Sequence, residues 1–181
     1  MESYDRELSI MSTLGHISAL VNHAPRLIQA DPDSRVIVLS SPSLRWFPLL
    51  YHMQASKFDL NQLLAFKQKL RRYVGLLYSH GVAYRVRHNS VFPAQRSSGR
   101  WVLHLSGWLD ADYCSDSSHL KSMEWKERVT KQMNEIERLF GLLVMHYEDM
   151  HDEKANMKDG QTTYRVNPWE LKRLLLPQDD E

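Results

Sequence analysis

Residues 60–109 read LNQLLAFKQKLRRYVGLLYSHGVAYRVRHNSVFPAQRSSGRWVLHLSGWL and contain neither Asp nor Glu. The stretch carries eight cations, which are Lys67, Lys69, Arg71, Arg72, Arg85, Arg87, Arg96 and Arg100. Over the wider block 35–109, eleven Lys and Arg residues face one acid, a net charge of +10, although the whole chain is only +1. This segregation indicates a polyanionic partner, because clustered cations attract phosphates and release counterions on binding.

The apolar residues of the same stretch predict a helix followed by an antiparallel hairpin. The helical stripe covers residues 60–80 and consists of Leu60, Leu63, Leu64, Leu70, Val74 and Leu77. Asp59 is a suitable N-cap for this helix, and Gly81 is a typical stop. Residues 82–87 and 101–106 alternate apolar and polar side chains, which predicts two paired strands. The basic segment 89–100 then becomes a long connecting loop.

Two topologies fit this order of elements. A short helix at 44–54, a basic helix and a long-looped hairpin together resemble a winged-helix module, in which a helix enters the major groove. That topology needs two helices and a turn between Asp59 and His80, but the apolar stripe continues there without a break. The alternative is one long helix packed on the sheet. If the partner is single-stranded, Phe92 and Trp101 could stack on its bases.

The flanking segments complete the expected fold. Residues 5–23 have the periodicity of an amphipathic helix, and the turn sequence DPDS leads into VIVL at 36–39, a predicted buried strand. Residues 119–150 carry the strongest helical stripe in the chain, and so long a helix should overhang a small core and support dimer packing. A strand at 162–166 and a short helix at 169–175 follow.

We therefore expect an α+β, helix-rich single domain with a small antiparallel β-sheet or hairpin, winged-helix-like in one topology, and a long C-terminal amphipathic helix. Residues 1–118 form the core and include the basic helix-hairpin block 35–109. Residues 119–181 contribute the long helix, the short strand and the C-terminal helix to the same domain, and we expect them to mediate dimerisation.

Composition and motifs narrow the function classes. The single cysteine, Cys114, excludes an internal disulfide framework and suggests an intracellular, cytoplasmic protein, or a nuclear one in a eukaryote. The sequence has no apolar run of membrane-spanning length, so we expect no membrane partner. It has no GxxxxGK[ST], GxGxxG, GxSxG or HExxH motif, so we assign no catalytic residue, no cofactor and no metal ligand.

The expected function is non-enzymatic nucleic-acid binding, with DNA favoured over RNA, by a homodimeric regulator or a subunit of a nucleoprotein complex. One alternative is an assembly subunit whose basic block docks on an acidic partner surface, such as segment 110–181 with its net charge of −6. A minor alternative is a Mg²⁺-dependent nuclease. Its carboxylates would be Asp110, Asp112 and Asp116, with Glu124 and Lys126 following.

Overall fold

A computed structural model of the protein describes residues 3–21, 23–40, 58–95 and 99–158. The helices in chain order are α1 (Ser3–His16), α2 (Leu60–Ser79) and α3 (Met123–Lys158). The strands are β1 (Leu27–Asp31), β2 (Val36–Leu39), β3 (Val82–Ala83), β4 (Val91–Gln95), β5 (Trp101–Leu105) and β6 (Asp112–Tyr113). They form antiparallel pairs: β1 with β2, β3 with β6, and β4 with β5. The predicted α+β, helix-rich domain is confirmed.

Three of the predicted elements lie outside the described residues. They are the helix at 44–54, the strand at 162–166 and the helix at 169–175. Within the ranges that the structure describes, no helix combines the length and the apolar character needed to cross a membrane.

Helix α2 begins and ends where the sequence predicts. The Asp59 carboxylate accepts a hydrogen bond from the Gln62 backbone N–H at 2.7 Å, and the Gln62 side chain accepts one from the Asp59 N–H at 3.1 Å. This capping box satisfies amides that a helix start otherwise leaves unpaired. The helix ends ahead of Gly81, which has a φ of +81°. Because residues 60–79 form one unbroken helix, the winged-helix interpretation is not confirmed.

The strand pairing differs from the predicted hairpin. Strand β5 pairs with β4, while β3 pairs with β6. After β3, the Val86 backbone N–H donates to the side-chain oxygen of Gln132 at 2.8 Å instead of to a strand. The prediction that 82–87 pairs with 101–106 was therefore wrong. Residues 91–95 were expected in the connecting loop 89–100 but form β4, and Pro93 is tolerated there because β4 is an edge strand that can lack one N–H donor.

The N-terminal ribbon is only partly as predicted. The strand at 36–39 is present, and the Asp31 carboxylate accepts hydrogen bonds from the turn, including one from the Ser34 hydroxyl at 2.6 Å. Its partner strand β1 was not predicted, because residues 27–31 lack a regular alternation of apolar and polar side chains. The strand was also expected to be buried, but Val36 and Val38 are 49% and 42% exposed.

Helices α2 and α3 pack antiparallel and build much of the core. The Trp125 indole N–H, at the start of α3, donates to the Tyr78 carbonyl at the end of α2 at 3.2 Å. Twelve residues later, Glu137 contacts Lys67 in the first half of α2. At 1.5 Å per residue, the 36 residues of α3 span about 54 Å against about 30 Å for α2. Helix α3 is therefore much longer than the helix it packs against.

Candidate nucleic-acid interface

The structure describes seven of the eight cations predicted to contact phosphates, and Arg96 lies outside the described residues. Four of the seven contact acids from outside the acid-free stretch. These contacts are Lys67 and Arg71 with Glu137, Arg85 with Asp112, and Arg87 with Asp110. Folding therefore brings part of the acidic C-terminal block onto the basic block.

Glu137 neutralises the side of α2 that faces α3. Its two carboxylate oxygens contact the Lys67 ammonium and the Arg71 guanidinium separately. The two cations are four residues apart, so they lie one above the other on a helix face. The hydrogen bond from Lys67, together with one from Arg71, lowers the pKa of the Glu137 carboxyl. Glu137 is therefore ionised at neutral pH and offsets one of the two positive charges.

Arg87 is paired with an acid that follows β5. Its guanidinium lies 3.0 Å from the Asp110 carboxylate, and both side chains are about half exposed. Exposed ion pairs of this kind contribute about 0–1 kcal/mol to stability. The contact matters here mainly because the Asp110 carboxylate neutralises the charge of Arg87. In the acid-free stretch 60–109 of the sequence, Arg87 has no acid beside it.

Asp112 on β6 is surrounded by three arginines. Its carboxylate oxygens lie 3.4 Å from Arg128, 3.8 Å from Arg6 and 3.9 Å from Arg85. Arg128 also binds Glu124 at 3.0 Å. Sequence reasoning missed Arg6 and Arg128, because both lie in net-acidic segments. Only the packing of α1, α3 and the β3–β6 pair brings them to Asp112, so no pattern in the sequence indicates this cluster.

Lys69, Arg72 and Arg100 form a second set, which we call the unpaired cations. Within the described ranges, none of the three has an ion-pair partner. At about 100° per residue, the rotation around the helix axis is roughly 200° from Lys67 to Lys69 and roughly 140° from Lys67 to Arg72. Both therefore lie on the flank of α2 that faces away from α3.

This flank of α2 borders strand β5. Lys69 lies one turn before Tyr73, whose ring centroid is 4.7 Å from that of His23. The His23 Nδ1 atom in turn lies 2.6 Å from the Leu103 carbonyl oxygen on β5. Arg100 is exposed and immediately precedes β5. Lys69 and Arg100 thus lie on neighbouring elements, and Arg72 lies on the same helix as Lys69.

The two aromatic side chains proposed for stacking are both half-buried. The Trp101 ring packs against Phe58 with a centroid distance of 4.7 Å, and it borders the hydrophobic core. Phe92 lies on β4 opposite His104. Trp101 therefore has a packing role, and base stacking by either ring stays a prediction.

The acids that resemble a nuclease centre have separate partners. Asp110 and Asp112 are bound by arginines, while the Asp116 carboxylate accepts hydrogen bonds from the Ser118 N–H and hydroxyl, each at 2.8 Å. The hydrogen bond from the Ser118 side chain also lowers the pKa of Asp116. The part of the chain that the structure describes contains no group of three His, Cys, Asp or Glu placed to hold a metal ion. These residues give the nuclease hypothesis no support.

Comparison with known proteins does not assign a family. No protein-family model matches the chain, and no curated protein matches it. The arrangement of charges on the fold is therefore the basis for a functional proposal.

Proposed function

We propose that this protein binds nucleic acid without catalysing a reaction on it, and that Lys69, Arg72 and Arg100 make the principal phosphate contacts. The supporting observation is the division of the cations into two sets. Those facing α3 and β6 are neutralised by the protein's own acids, whereas the unpaired cations have no ion-pair partner among the described residues. A phosphate backbone can approach the unpaired cations without displacing a carboxylate of the residues that the structure describes, and each contact releases counterions.

The protein would act as a regulator or as a subunit of a nucleoprotein complex, with duplex DNA favoured over RNA. We further propose a homodimer formed through α3. This helix is longer than the α2 helix it packs against, and its Met145 side chain is 60% exposed. A dimer would present two copies of the unpaired cations to one duplex. The single cysteine favours an intracellular location.

The alternative partner is an acidic protein surface. Pairing between the basic block of one copy and the acidic block of another is less favoured, because Glu137, Asp110 and Asp112 already bind cations within the chain. An acidic surface on a different protein would meet the same unpaired cations. Direct measurement of DNA and RNA binding therefore decides whether the proposed function holds.

The test compares two triple variants that each remove three positive charges. One carries Lys69→Gln, Arg72→Gln and Arg100→Gln, and it removes the unpaired cations. The matched control carries Lys67→Gln, Arg71→Gln and Arg87→Gln, and it removes paired cations from the same acid-free stretch. Fluorescence anisotropy with labelled duplex DNA, and with single-stranded RNA, gives the affinity at low salt.

We expect the first variant to bind duplex DNA more than about tenfold more weakly than the natural chain, because three phosphate contacts are lost. The control should bind nearly as well as the natural chain. Equal weakening of both variants would mean that only net charge matters. Absence of any DNA or RNA binding by the natural chain at low salt would rule out the proposed function.

A further inference from the structure

We propose that Arg6, Arg85 and Arg128 form a binding site for a phosphate-class oxyanion, in which the Asp112 carboxylate occupies part of the anion's place. Arg128 lies on α3, which packs on the flank of α2 opposite to Lys69. The site is therefore distinct from the unpaired cations, and it does not rest on the proposed function.

Three elements bring the arginines to one point. The β3–β6 ladder sets Ala83 opposite Asp112, and Arg85 follows two residues later. Helix α1 packs on β6 and carries Arg6. Arg128 lies in the second turn of α3. Arg6 and Arg128 therefore lie on helices, and Arg85 lies between the buried residues Tyr84 and Val86 just after β3, although all three arginine side chains are partly exposed.

The charges of this cluster do not balance. In the part of the chain that the structure describes, three guanidinium groups share the Asp112 carboxylate, and the one further acid that contacts them, Glu124, binds only Arg128. The net charge of these five side chains is +1. Like charges gathered at one point repel each other at close range, so a further anion would relieve the imbalance.

The guanidinium groups of Arg6 and Arg85 also leave most of their hydrogen-bonding capacity unused. The Asp112 distances of 3.8 Å to Arg6 and 3.9 Å to Arg85 exceed the roughly 2.7–2.9 Å of a direct charge-assisted hydrogen bond. Across the described ranges, neither guanidinium donates a hydrogen bond to a protein acceptor. Their side chains are 36% and 55% exposed, so these donors are accessible to a ligand.

Tyr78 is a buried residue near Arg85 and Arg128. It is only 4% exposed, and its ring centroid is 5.2 Å from that of Trp125. Burial raises the pKa of Tyr78 to about 12, although the nearby positive charges of Arg128 and Arg85 partly oppose this. The phenol therefore keeps its proton at neutral pH and remains a hydrogen-bond donor.

This combination of groups suits a tetrahedral oxyanion. Planar guanidinium forks match the oxygen spacing of phosphate and bind it through two parallel hydrogen bonds. A dianion also offers enough acceptors for three arginines at once. The same chemistry is found in a free phosphate group and in a nucleic-acid backbone, and competition between the two separates these sources.

The experiment is isothermal titration calorimetry of the full chain with sodium phosphate at constant ionic strength. We expect saturable binding by the natural chain. The double variant Arg85→Gln, Arg128→Gln should lose at least about tenfold in affinity, since two of the three forks are removed. Arg138→Gln is the control, because it removes a cation ten residues further along α3, about 15 Å from Arg128 at 1.5 Å per residue, and should leave phosphate binding unchanged.

Asp112→Asn provides an independent second variant. It removes the competing negative charge but keeps the size of the side chain, so it should bind phosphate at least about tenfold more tightly than the natural chain. Absence of saturable binding in both the natural chain and Asp112→Asn overturns the proposal. Undiminished binding in a folded Arg85→Gln, Arg128→Gln variant also overturns it.

Adding duplex DNA to the phosphate-bound chain identifies the source of the anion. Displacement of phosphate supports the site as a contact for the backbone, and retention supports a site for a free phosphate group. Phosphate binding without any DNA binding would refute the proposed function alone. DNA binding without phosphate binding would refute only this site.

Discussion

Replacing Tyr84 with Phe should destabilise the protein measurably while leaving its outer surface unchanged. Tyr84 is fully buried, and its hydroxyl oxygen lies 2.9 Å from the Ser90 carbonyl oxygen and 2.6 Å from the Ser106 carbonyl oxygen. These residues flank β4 and β5, so the hydroxyl ties together the ends of the ribbon. Removing it leaves buried acceptors short of a donor, which costs about 1–3 kcal/mol. A loss of about 2 kcal/mol lowers Tm by about 4–8 °C in a chain of this size.

The same residue gives the prediction a pH dependence. Burial raises the pKa of Tyr84 far above the value of about 10 expected in the unfolded chain. A raised folded-state pKa means that its stabilisation is complete below pH 10 and is lost as pH rises further. At pH 11 this residue alone should cost the natural chain about 1.4 kcal/mol, a loss that the Tyr84→Phe variant cannot show.

The assay is urea unfolding of the natural chain and of Tyr84→Phe at pH 8 and at pH 11. The difference in unfolding free energy should be about 2 kcal/mol at pH 8 and should narrow to about 0.6 kcal/mol at pH 11. Tyr113→Phe, at a half-buried ring on β6, is the control. A difference below about 0.5 kcal/mol at pH 8, or one that does not change with pH, would refute the reasoning.

Two further substitutions test local features of α2 and β3. Asp59→Ala removes the capping box and should lower the free energy of unfolding, measured by thermal unfolding, by about 1 kcal/mol. Asp59→Asn should be nearly neutral. Equal stability of the two variants would contradict the capping role of Asp59. Gly81→Ala would place a Cβ 2.0 Å from the Cys114 carbonyl oxygen, so it should cost more than about 2 kcal/mol. The control Gly99→Ala shares the positive φ, but its Cβ would meet no atom of the described residues within 4 Å. A cost as large as that of Gly81→Ala would contradict the steric argument.

Elements defined by neighbouring residues could be predicted from the sequence. Helix α2, its Asp59 cap and the stop at Gly81 follow from apolar periodicity and from residue types with specific backbone preferences. The long helix α3 and the turn at Asp31 follow in the same way. Each depends on contacts within a few positions along the chain, so a local pattern is sufficient.

Strand partners could not be predicted, because they depend on packing between distant segments. Strands β3 and β6 have only two residues each, too few for alternation to indicate a partner. Strand β1 has both apolar and polar residues without a regular period. The alternation in 82–87 reflects burial of Tyr84 and Val86 among side chains instead of a place in a ladder.

The charge pattern was informative but incomplete for a similar reason. The sequence of residues 60–109 shows their cations correctly. It does not show Asp110, Asp112 and Glu137, which lie outside this stretch and contact its cations only in the folded chain. Coulomb interactions depend on distance in space. Among the described residues, the cations without an ion-pair partner are therefore a smaller and more specific set than the sequence suggested.

The salt dependence of DNA binding tests the central claim most directly. The measurement is the slope of log K against log salt concentration for the natural chain and for both triple variants. The change in slope gives the number of phosphate contacts that each set of cations makes. Loss of Lys69, Arg72 and Arg100 should make the slope shallower by about 2.7, at about 0.9 per contact, whereas loss of Lys67, Arg71 and Arg87 should change it little. Equal changes in slope for the two variants, or a slope near zero for the natural chain, would contradict the account.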